Sequence, residues 1–162
     1  MTERTGPDGA SGTDSAVDSA VDSGGLVVFV CPHGVGKSRM AAAVFQAALS
    51  GRGSGDRGRW SVATAAGAEP GDALSPHASR LLAGDPAEVF LQPGAGRPLA
   101  GLPIAGTGTP VLVVGIDVDP AGVPAERLWR LEHQTPDEKM RDEIAGLVAD
   151  LVDDLIGRPA PR

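Results

Sequence analysis

The sequence predicts an α/β domain in which a small, open, mainly parallel β-sheet is flanked by helices, giving three layers. Short apolar runs rich in β-branched residues alternate along the chain with helix-like segments, the pattern of strands buried on both faces of a parallel sheet. Glycine and proline separate these segments. With 162 residues, 41 % of them hydrophobic, the chain has enough apolar material for one core. Such alternation implies right-handed crossovers and a ligand site at the carboxyl edge of the strands.

The N-terminal segment differs in composition from the rest of the chain. Residues 1–25 are rich in Gly, Ser, Thr and Asp, and they carry five acidic side chains against one arginine. A segment with so little apolar surface cannot offset the entropy lost on ordering it. We therefore predict a disordered acidic tail over 1–25, a single domain over 26–157 and a short C-terminal tail over 158–162.

The first half of the domain contains two strand-helix units. LVVFV is a short apolar run, and the alanine-rich segment after it stops at a glycine. In the second unit, a serine followed by a proline supplies an N-cap and the first residue of a helix. The predicted elements are strand 26–30, helix 38–49 ended by Gly51, strand 60–65, and a helix from Ser75 and Pro76 to about Leu82.

The second half contains one clear strand and the best-defined helix. Many Gly and Pro residues between 84 and 110 surround two short candidate strands, 89–91 and 99–104, whereas VLVVGI at 111–116 predicts a buried strand. For the last helix, Thr135 is the predicted cap, Pro136 opens the helix and Gly157 stops it. Its apolar face comprises Met140, Ile144, Leu147, Val148, Leu151, Val152 and Leu155.

A glycine-containing loop follows the first strand and opens on the sole cysteine, Cys31. The sequence CPHGVGKS places this thiol and a row of backbone N–H groups at a helix N-terminus, where peptide dipoles favour an anion and a thiolate. Gly34 and Gly36 allow the tight turn that a ring of inward N–H groups needs. We therefore predict a site for a phosphate-like oxyanion, with Cys31 beneath it.

Two known patterns match this loop. Gly36, Lys37 and Ser38 match the end of the nucleotide-binding pattern G-x-x-x-x-G-K-[ST], although Cys31 occupies the place of its first glycine. A longer match without gaps, VVFVCPHGVGKSRMAAAVF, resembles the start of the low-molecular-weight protein-tyrosine-phosphatase superfamily, which also includes the thiol-dependent arsenate reductases. This resemblance implies a flavodoxin-like fold, with Cys31 as the nucleophile and Ser38 as the serine that ends the loop and steadies the thiolate.

One loop position departs from that family. The arginine with which the family grips phosphate corresponds to Lys37 here, and Arg39 lies two residues further along, where we expect it to be exposed. Arginine offers a planar fork that can hold two oxygens, whereas lysine offers a compact point charge. A loop with Lys37 is therefore expected to bind phosphate but to turn over slowly, with Arg39 as the remaining candidate to replace the missing fork.

The resemblance continues more weakly over residues 61–82 and 129–144. The second stretch is similar to the arsenate-reductase branch, where a Trp-x-Leu segment precedes an Asp-Pro pair that carries the general acid. Counting from Trp129, the place of that aspartate is taken by His133, with Glu132 beside it. Either side chain could protonate the leaving oxygen, since a histidine titrates near neutral pH.

The candidate site therefore combines a nucleophile, a cation, a hydroxyl and a proton donor. The predicted catalytic residues are Cys31, Lys37, Ser38, His133 and Glu132. The predicted phosphate-binding residues are Pro32, His33, Gly34, Val35, Gly36, Lys37, Ser38 and Arg39.

The leading functional hypothesis is cysteine-dependent hydrolysis of a phosphomonoester, such as a phosphotyrosine, through a thiophosphate intermediate. One alternative is an arsenate reductase that uses an external small thiol, because the chain has no second cysteine for an internal relay. A third hypothesis is a non-catalytic module that binds phosphate or a phosphoprotein, and a fourth is a degenerate nucleotide-binding loop.

Composition narrows the partners and the compartment. The net charge of −7 and the 3 % aromatic content argue against a nucleic-acid partner. A lone cysteine excludes an internal disulfide or a cysteine-based zinc cluster. No apolar stretch is long enough to predict a membrane span, and no signal peptide is predicted, so we expect a cytoplasmic protein. The expected substrate is a phosphorylated protein, a small phosphomonoester or arsenate; no metal or cofactor is expected, and no oligomeric state is predicted.

Overall fold

The computed structural model describes residues 25–51, 60–98, 111–119 and 125–157. Nearly all of the predicted acidic tail, the predicted C-terminal tail and the candidate strand at 99–104 lie outside these ranges. The domain boundaries therefore stay predictions.

The described part of the chain contains a parallel four-stranded sheet. The strands are β1 (Gly25–Cys31), β2 (Trp60–Gly67), β3 (Val111–Ile116) and β4 (Arg127–Trp129), in the order β2-β1-β3-β4. All three pairings are parallel. Every residue of β1 is buried, as expected of a central strand covered on both faces. The prediction of an open parallel α/β sheet is confirmed.

Helices cover the face of the sheet that carries Phe29. Helix α1 (Lys37–Ser50), helix α2 (Pro76–Leu81) and helix α3 (Glu138–Val152) all contribute to one apolar cluster with the side chains of Val27 and Phe29. Leu26, Val28 and Val30 of β1 pack on the opposite face in a second cluster, which also comprises Ala66, Val113 and Val118. Among the helices in the described ranges, none has the length and apolar character needed to cross a membrane.

N-terminal capping by aspartate accounts for two differences from the predicted elements. The candidate strand at 89–91 is wrong, because Pro86–Phe90 forms a 3₁₀ helix whose N-cap, Asp85, accepts a hydrogen bond from the backbone N–H of Ala87. The last helix begins after Asp137 instead of Thr135. Asp137 is extended, and its carboxylate accepts a hydrogen bond from the backbone N–H of Met140, which satisfies an N–H of the first turn.

Two further features were not predicted, the fourth strand and the turn that follows the last helix. Arg127–Trp129 forms the edge strand β4, where no strand was predicted from the sequence. Such a short strand has too few residues to show a period of two. Helix α3 is followed by one π-helical turn, Asp153–Gly157, which ends at the glycine predicted to stop the helix.

The strand order places one particular edge of the sheet at a topological switch point. The chain leaves β1 toward β2 on one side, and β3 lies on the other side of β1. Ligands in open parallel sheets bind at the carboxyl ends of the strands where the order reverses in this way. Here those ends are Cys31, at the end of β1, and Asp117, directly after β3.

Candidate active site

The thiol of Cys31 lies at the base of the loop between β1 and α1. The residue is 3 % exposed, and its Sγ accepts a hydrogen bond from the backbone N–H of Gly34 at 3.2 Å. Sγ also lies 3.1 Å from Oγ of the fully buried Ser38. The thiol can donate to this hydroxyl, and the hydroxyl can donate to a thiolate. The two partners therefore suit a sulfur that carries negative charge during a reaction.

The carbonyl groups of the loop turn toward the segment that follows β2. The carbonyl oxygens of Cys31, Pro32, His33 and Val35 accept hydrogen bonds from the N–H groups of Ala68, Glu69, Gly71 and Ser75, at 2.7 to 3.1 Å. In a planar trans peptide the next N–H points opposite to the carbonyl. The N–H groups of residues 33, 34 and 36 are therefore directed away from that segment, and the N–H of Gly34 accordingly meets Sγ. This arrangement forms a cradle of backbone donors.

Two glycines allow the loop to lie against β2. Gly34 has φ +69°, and a Cβ atom there would fall 2.5 Å from the backbone nitrogen of Gly67. A Cβ atom on Gly67 would fall 2.4 Å from the carbonyl carbon of His33. Both glycines are therefore required by close backbone approach, and Gly34 also by its left-handed conformation.

Arg39 is buried, contrary to the expectation that it would be exposed. Only 5 % of the residue is accessible, and its guanidinium donates to four carbonyl oxygens. Nε bonds to Gly34 at 2.8 Å, Nη1 bonds to Gln92, and Nη2 bonds to Gly94 at 3.1 Å and to Ala95 at 2.6 Å. Burial lowers the pKa of Arg39, and the charge of Arg97 lowers it further, whereas Cys31 opposes the shift.

The position of Arg39 follows from the register of helix α1. Because it is the third residue of that helix, its side chain points back along the loop and not into the cavity beside Cys31. Its hydrogen bonds tie the loop to the segment 92–95, so its observed role is to hold the loop in place. Arg39 is absent from the cavity lining, and its guanidinium donates to backbone carbonyl oxygens instead of facing the cavity.

Lys37, the other cation of the loop, is paired with a carboxylate that no sequence motif indicated. Its Nζ lies 2.8 Å from Oδ2 of Asp117 and 3.0 Å from Oε1 of Gln134. Gln134 Nε2 in turn donates to Asp117 Oδ2 at 3.1 Å, and the N–H of Leu131 donates to Asp117 Oδ1 at 3.1 Å. The three side chains come from three separate parts of the chain.

Asp117 is held as a carboxylate by these contacts. Burial by itself would raise its pKa, but the hydrogen bonds from Lys37, Gln134 and Leu131, together with the charge of Lys37, outweigh burial and hold the pKa below its ordinary value. The residue has φ +54°, a left-handed conformation that aspartate tolerates better than most residues. One signal could have identified it, namely its place directly after a buried strand at the carboxyl edge of the sheet.

A cavity of about 280 Å³ opens above Cys31. Its lining includes five predicted phosphate-binding residues, which are Pro32, His33, Val35, Gly36 and Lys37. The rest of this part of the lining comes from two other regions. Ser75, His77 and Ala78 lie at the start of α2, Gln134 and Pro136 lie in the segment before α3, and Met140 lies in the first turn of α3. His77 is exposed and also lines this cavity.

The two predicted proton donors do not line the cavity. Glu132 and His133 are exposed, and their backbone N–H groups donate to the carboxylate of Glu143 on α3, at 2.8 and 2.9 Å. The ring of His133 also bonds to Glu143, with Nδ1 3.0 Å from Oε1. Burial would raise the pKa of Glu143, but these hydrogen bonds and the neighbouring histidine lower it. From this segment, Gln134 lines the cavity instead.

Comparison with known proteins identifies the fold. Over 82 % of this chain and 99 % of the other, the protein is similar to an arsenate reductase from Archaeoglobus fulgidus, with 23 % identity and a TM-score of 0.52. A low-molecular-weight protein tyrosine phosphatase from T. tengcongensis shares 20 % identity and a TM-score of 0.57, over 80 % of this chain and 99 % of the other. The fold is that of the low-molecular-weight phosphatases and arsenate reductases.

A third solved structure of this kind extends the match to 88 % of the chain. It is a thioredoxin-dependent arsenate reductase from Corynebacterium glutamicum, with 21 % identity, a TM-score of 0.52 and 67 % of its own length covered. No family model and no curated protein matches the sequence. The resemblance seen in the sequence is thus confirmed in three dimensions as a shared fold, and that fold includes both phosphatases and arsenate reductases.

Proposed function

We propose that this protein is a cysteine-dependent phosphatase that hydrolyses phosphomonoesters through a thiophosphate intermediate. One observation carries the proposal: the sole thiol lies at the floor of a cavity, bonded to a buried hydroxyl and a backbone N–H, below a loop whose N–H groups at residues 33 and 36 also point away from the segment after β2. This constellation provides a nucleophile and donors for the charge that develops on phosphoryl oxygens.

In the first step, Sγ of Cys31 attacks phosphorus and the bond from phosphorus to the ester oxygen breaks. The N–H groups of His33 and Gly36 and the ammonium of Lys37 hold the non-bridging oxygens, while the N–H of Gly34 stays with Sγ. The departing oxygen takes up a proton, for which His133 and Glu132 are the candidates from the sequence. Because neither side chain lines the cavity, substrates with good leaving groups, such as aryl phosphates, should react fastest.

In the second step, water attacks phosphorus and the bond from sulfur to phosphorus breaks. Inorganic phosphate leaves, and Cys31 returns as a thiolate. Ser38 supports this step because its hydroxyl, 3.1 Å from Sγ, can donate a hydrogen bond to the departing sulfur.

Rapid acid quench with an aryl phosphate tests this proposal directly. We expect phosphate trapped on Cys31 and steady-state release of phenol in excess chelator. Cys31→Ser should lower the rate by at least about a thousandfold, whereas Ser79→Ala, at an exposed position of α2, should leave it unchanged. Undiminished hydrolysis in Cys31→Ser would refute the mechanism. Phosphate binding without turnover would refute the phosphatase and support a non-catalytic phosphate-binding module.

Arsenate reduction is the second candidate, and the composition of the cavity wall favours it. Among the described residues that line the cavity there is no Phe, Trp or Tyr to stack on an aryl group, so this wall is suited to a small oxyanion. Sγ of Cys31 would attack arsenic and form a sulfur–arsenic bond, while one arsenate oxygen leaves as water. An external small thiol would then attack Sγ, giving a mixed disulfide and arsenite, and a second thiol would release Cys31 and form the external disulfide. The two thiols supply the two electrons.

The two activities are separated by assaying the same preparation for both. Arsenate-dependent oxidation of a supplied small thiol, in a ratio of two thiols per arsenite, would support reduction. Release of phenol from an aryl phosphate without such oxidation would support the phosphatase.

A further inference from the structure

Lys37 is the cation that lines the cavity, yet most of its donor capacity is already used. An ammonium group has three N–H donors. Two of them go to Asp117 Oδ2 and to Gln134 Oε1, at 2.8 and 3.0 Å. One N–H group is therefore left for a ligand in the cavity.

Asp117, at the carboxyl edge of the sheet, holds the ammonium of Lys37 in this position. It follows β3 directly, and its side chain is 15 % exposed, against 21 % for that of Lys37. Both of its oxygens are occupied, Oδ1 by the N–H of Leu131 and Oδ2 by Lys37 and Gln134. Since Gln134 also donates to the carbonyl oxygen of Leu131 at 2.7 Å, the amide that contacts Lys37 is itself held in one orientation.

The same contact changes the charge that a bound oxyanion experiences. The carboxylate of Asp117 compensates the ammonium at a distance of 2.8 Å, so the cradle carries less net positive charge than a loop with an unpaired cation. A weaker anion site releases inorganic phosphate more readily. Such a site also binds the phosphomonoester substrate less tightly, because the ester and inorganic phosphate present the same kind of non-bridging oxygens to it.

We propose that Asp117 is a positioning residue that sets both the direction and the effective charge of Lys37. With Gln134 it holds the ammonium so that one N–H points at a bound oxyanion, and its carboxylate keeps phosphate from binding tightly. This inference rests on the proposed anion site of the Cys31 loop, and it adds a carboxylate and an amide to the residues that govern phosphate release.

The decisive variant is Asp117→Asn, because asparagine also tolerates the left-handed backbone at φ +54°. Loss of the carboxylate should tighten phosphate binding about tenfold, since one negative charge is removed close to an anion site. It should also lower kcat, because Lys37 is no longer held in one direction. Structural damage alone would weaken binding, so tighter binding with lower kcat separates positioning from a general loss of structure.

Phosphate binding is measured without turnover, as protection of Cys31 from alkylation by iodoacetamide. The matched control is Asp150→Asn, which removes the same charge from an exposed position on α3, away from the cavity, and should change protection less than twofold. Kinetics with an aryl phosphate then give kcat and the inhibition constant of phosphate for each variant.

Unchanged or weaker protection in folded Asp117→Asn would overturn the inference, and so would a kcat that stays equal or rises. If Asp117→Asn does not fold, Asp117→Gly serves the same test, since glycine removes the carboxylate and relieves the positive φ. Absence of turnover in the unaltered protein would refute the phosphatase proposal alone, because the protection assay still tests the role of Asp117.

Discussion

The two cations of the Cys31 loop lie two residues apart and have opposite surroundings. Arg39, on the inner side, is buried and donates to four neutral carbonyl oxygens. Lys37, on the cavity side, is partly exposed and pairs with the carboxylate of Asp117. Arg39, which the sequence suggested as a substitute phosphate ligand, thus holds the loop in place. Lys37, which lines the cavity, is held by its ion pair with Asp117. The neighbours supplied by distant segments decide these roles.

Removing the inner cation should have the largest effect on stability. Arg39→Met leaves the carbonyl oxygens of Gly34, Gln92 and two further residues without their donor, in a region where Arg39 itself is 5 % exposed. We expect the free energy of unfolding to fall by about 3 to 5 kcal/mol. Denaturant titration measures it. The matched variant is Arg141→Met, whose guanidinium bonds mainly to the exposed Asp142, and it should cost less than about 1 kcal/mol. Equal losses in the two variants would contradict the structural role of Arg39.

The contact between the loop and β2 gives the next largest effect. Gly34→Ala places a Cβ atom 2.5 Å from the backbone nitrogen of Gly67 and fixes a side chain at φ +69°. We expect a loss of about 2 to 4 kcal/mol, together with faster alkylation of Cys31 as the loop loosens. Gly146→Ala is the control, because nothing lies within 4 Å of the added atom in α3, and it should stabilise by about 0.5 to 1 kcal/mol. A stable Gly34→Ala protein would show that the loop does not need this close approach.

On the cavity side, replacing Lys37 by arginine tests whether Asp117 restrains the cation. Arginine forms two parallel hydrogen bonds with a carboxylate. In the presence of Asp117, Lys37→Arg should therefore change kcat/KM for an aryl phosphate less than about threefold. Combined with Asp117→Asn, the same replacement should raise kcat/KM about tenfold over Asp117→Asn alone, because the fork is free to hold two oxygens. Equal effects in both backgrounds would show that Asp117 and residue 37 act independently.

The smallest effect concerns stability at low pH. The pKa of Asp117 in the folded protein is below its ordinary value of 3.8. Its contribution to stability is therefore fully present above pH 3.8 and is lost as the pH falls through the lower folded value. We expect the acid-induced loss between about pH 5 and pH 2 to be smaller in Asp117→Asn, by no more than about 1 kcal/mol. Parallel stability curves for the two proteins would contradict this.

The elements that the sequence predicted well are those with a strong local signal. The apolar runs of β1 and β3 and the serine-proline start of α2 carry their own pattern, and the predicted strand at 111–116 matches β3 from Val111 to Ile116. Two of the errors lie where two local signals compete. At 89–91 the strand-like residues yield to the Asp-Pro cap of a 3₁₀ helix, and before α3 the cap moves from Thr135 to Asp137.

The sequence by itself determined the alternation of strands and helices, and it placed the sole thiol and the glycine loop after the first strand. These features depend on residues that are neighbours in the chain. The tertiary structure decided what Arg39 and Lys37 bind, because their partners at 92–95, 117 and 134 are far away in sequence. It also brought Asp117 to the site, since only the strand order sets the carboxyl end of β3 beside that of β1. Hydrogen bonds over such separations depend on packing and register, which local sequence patterns do not encode.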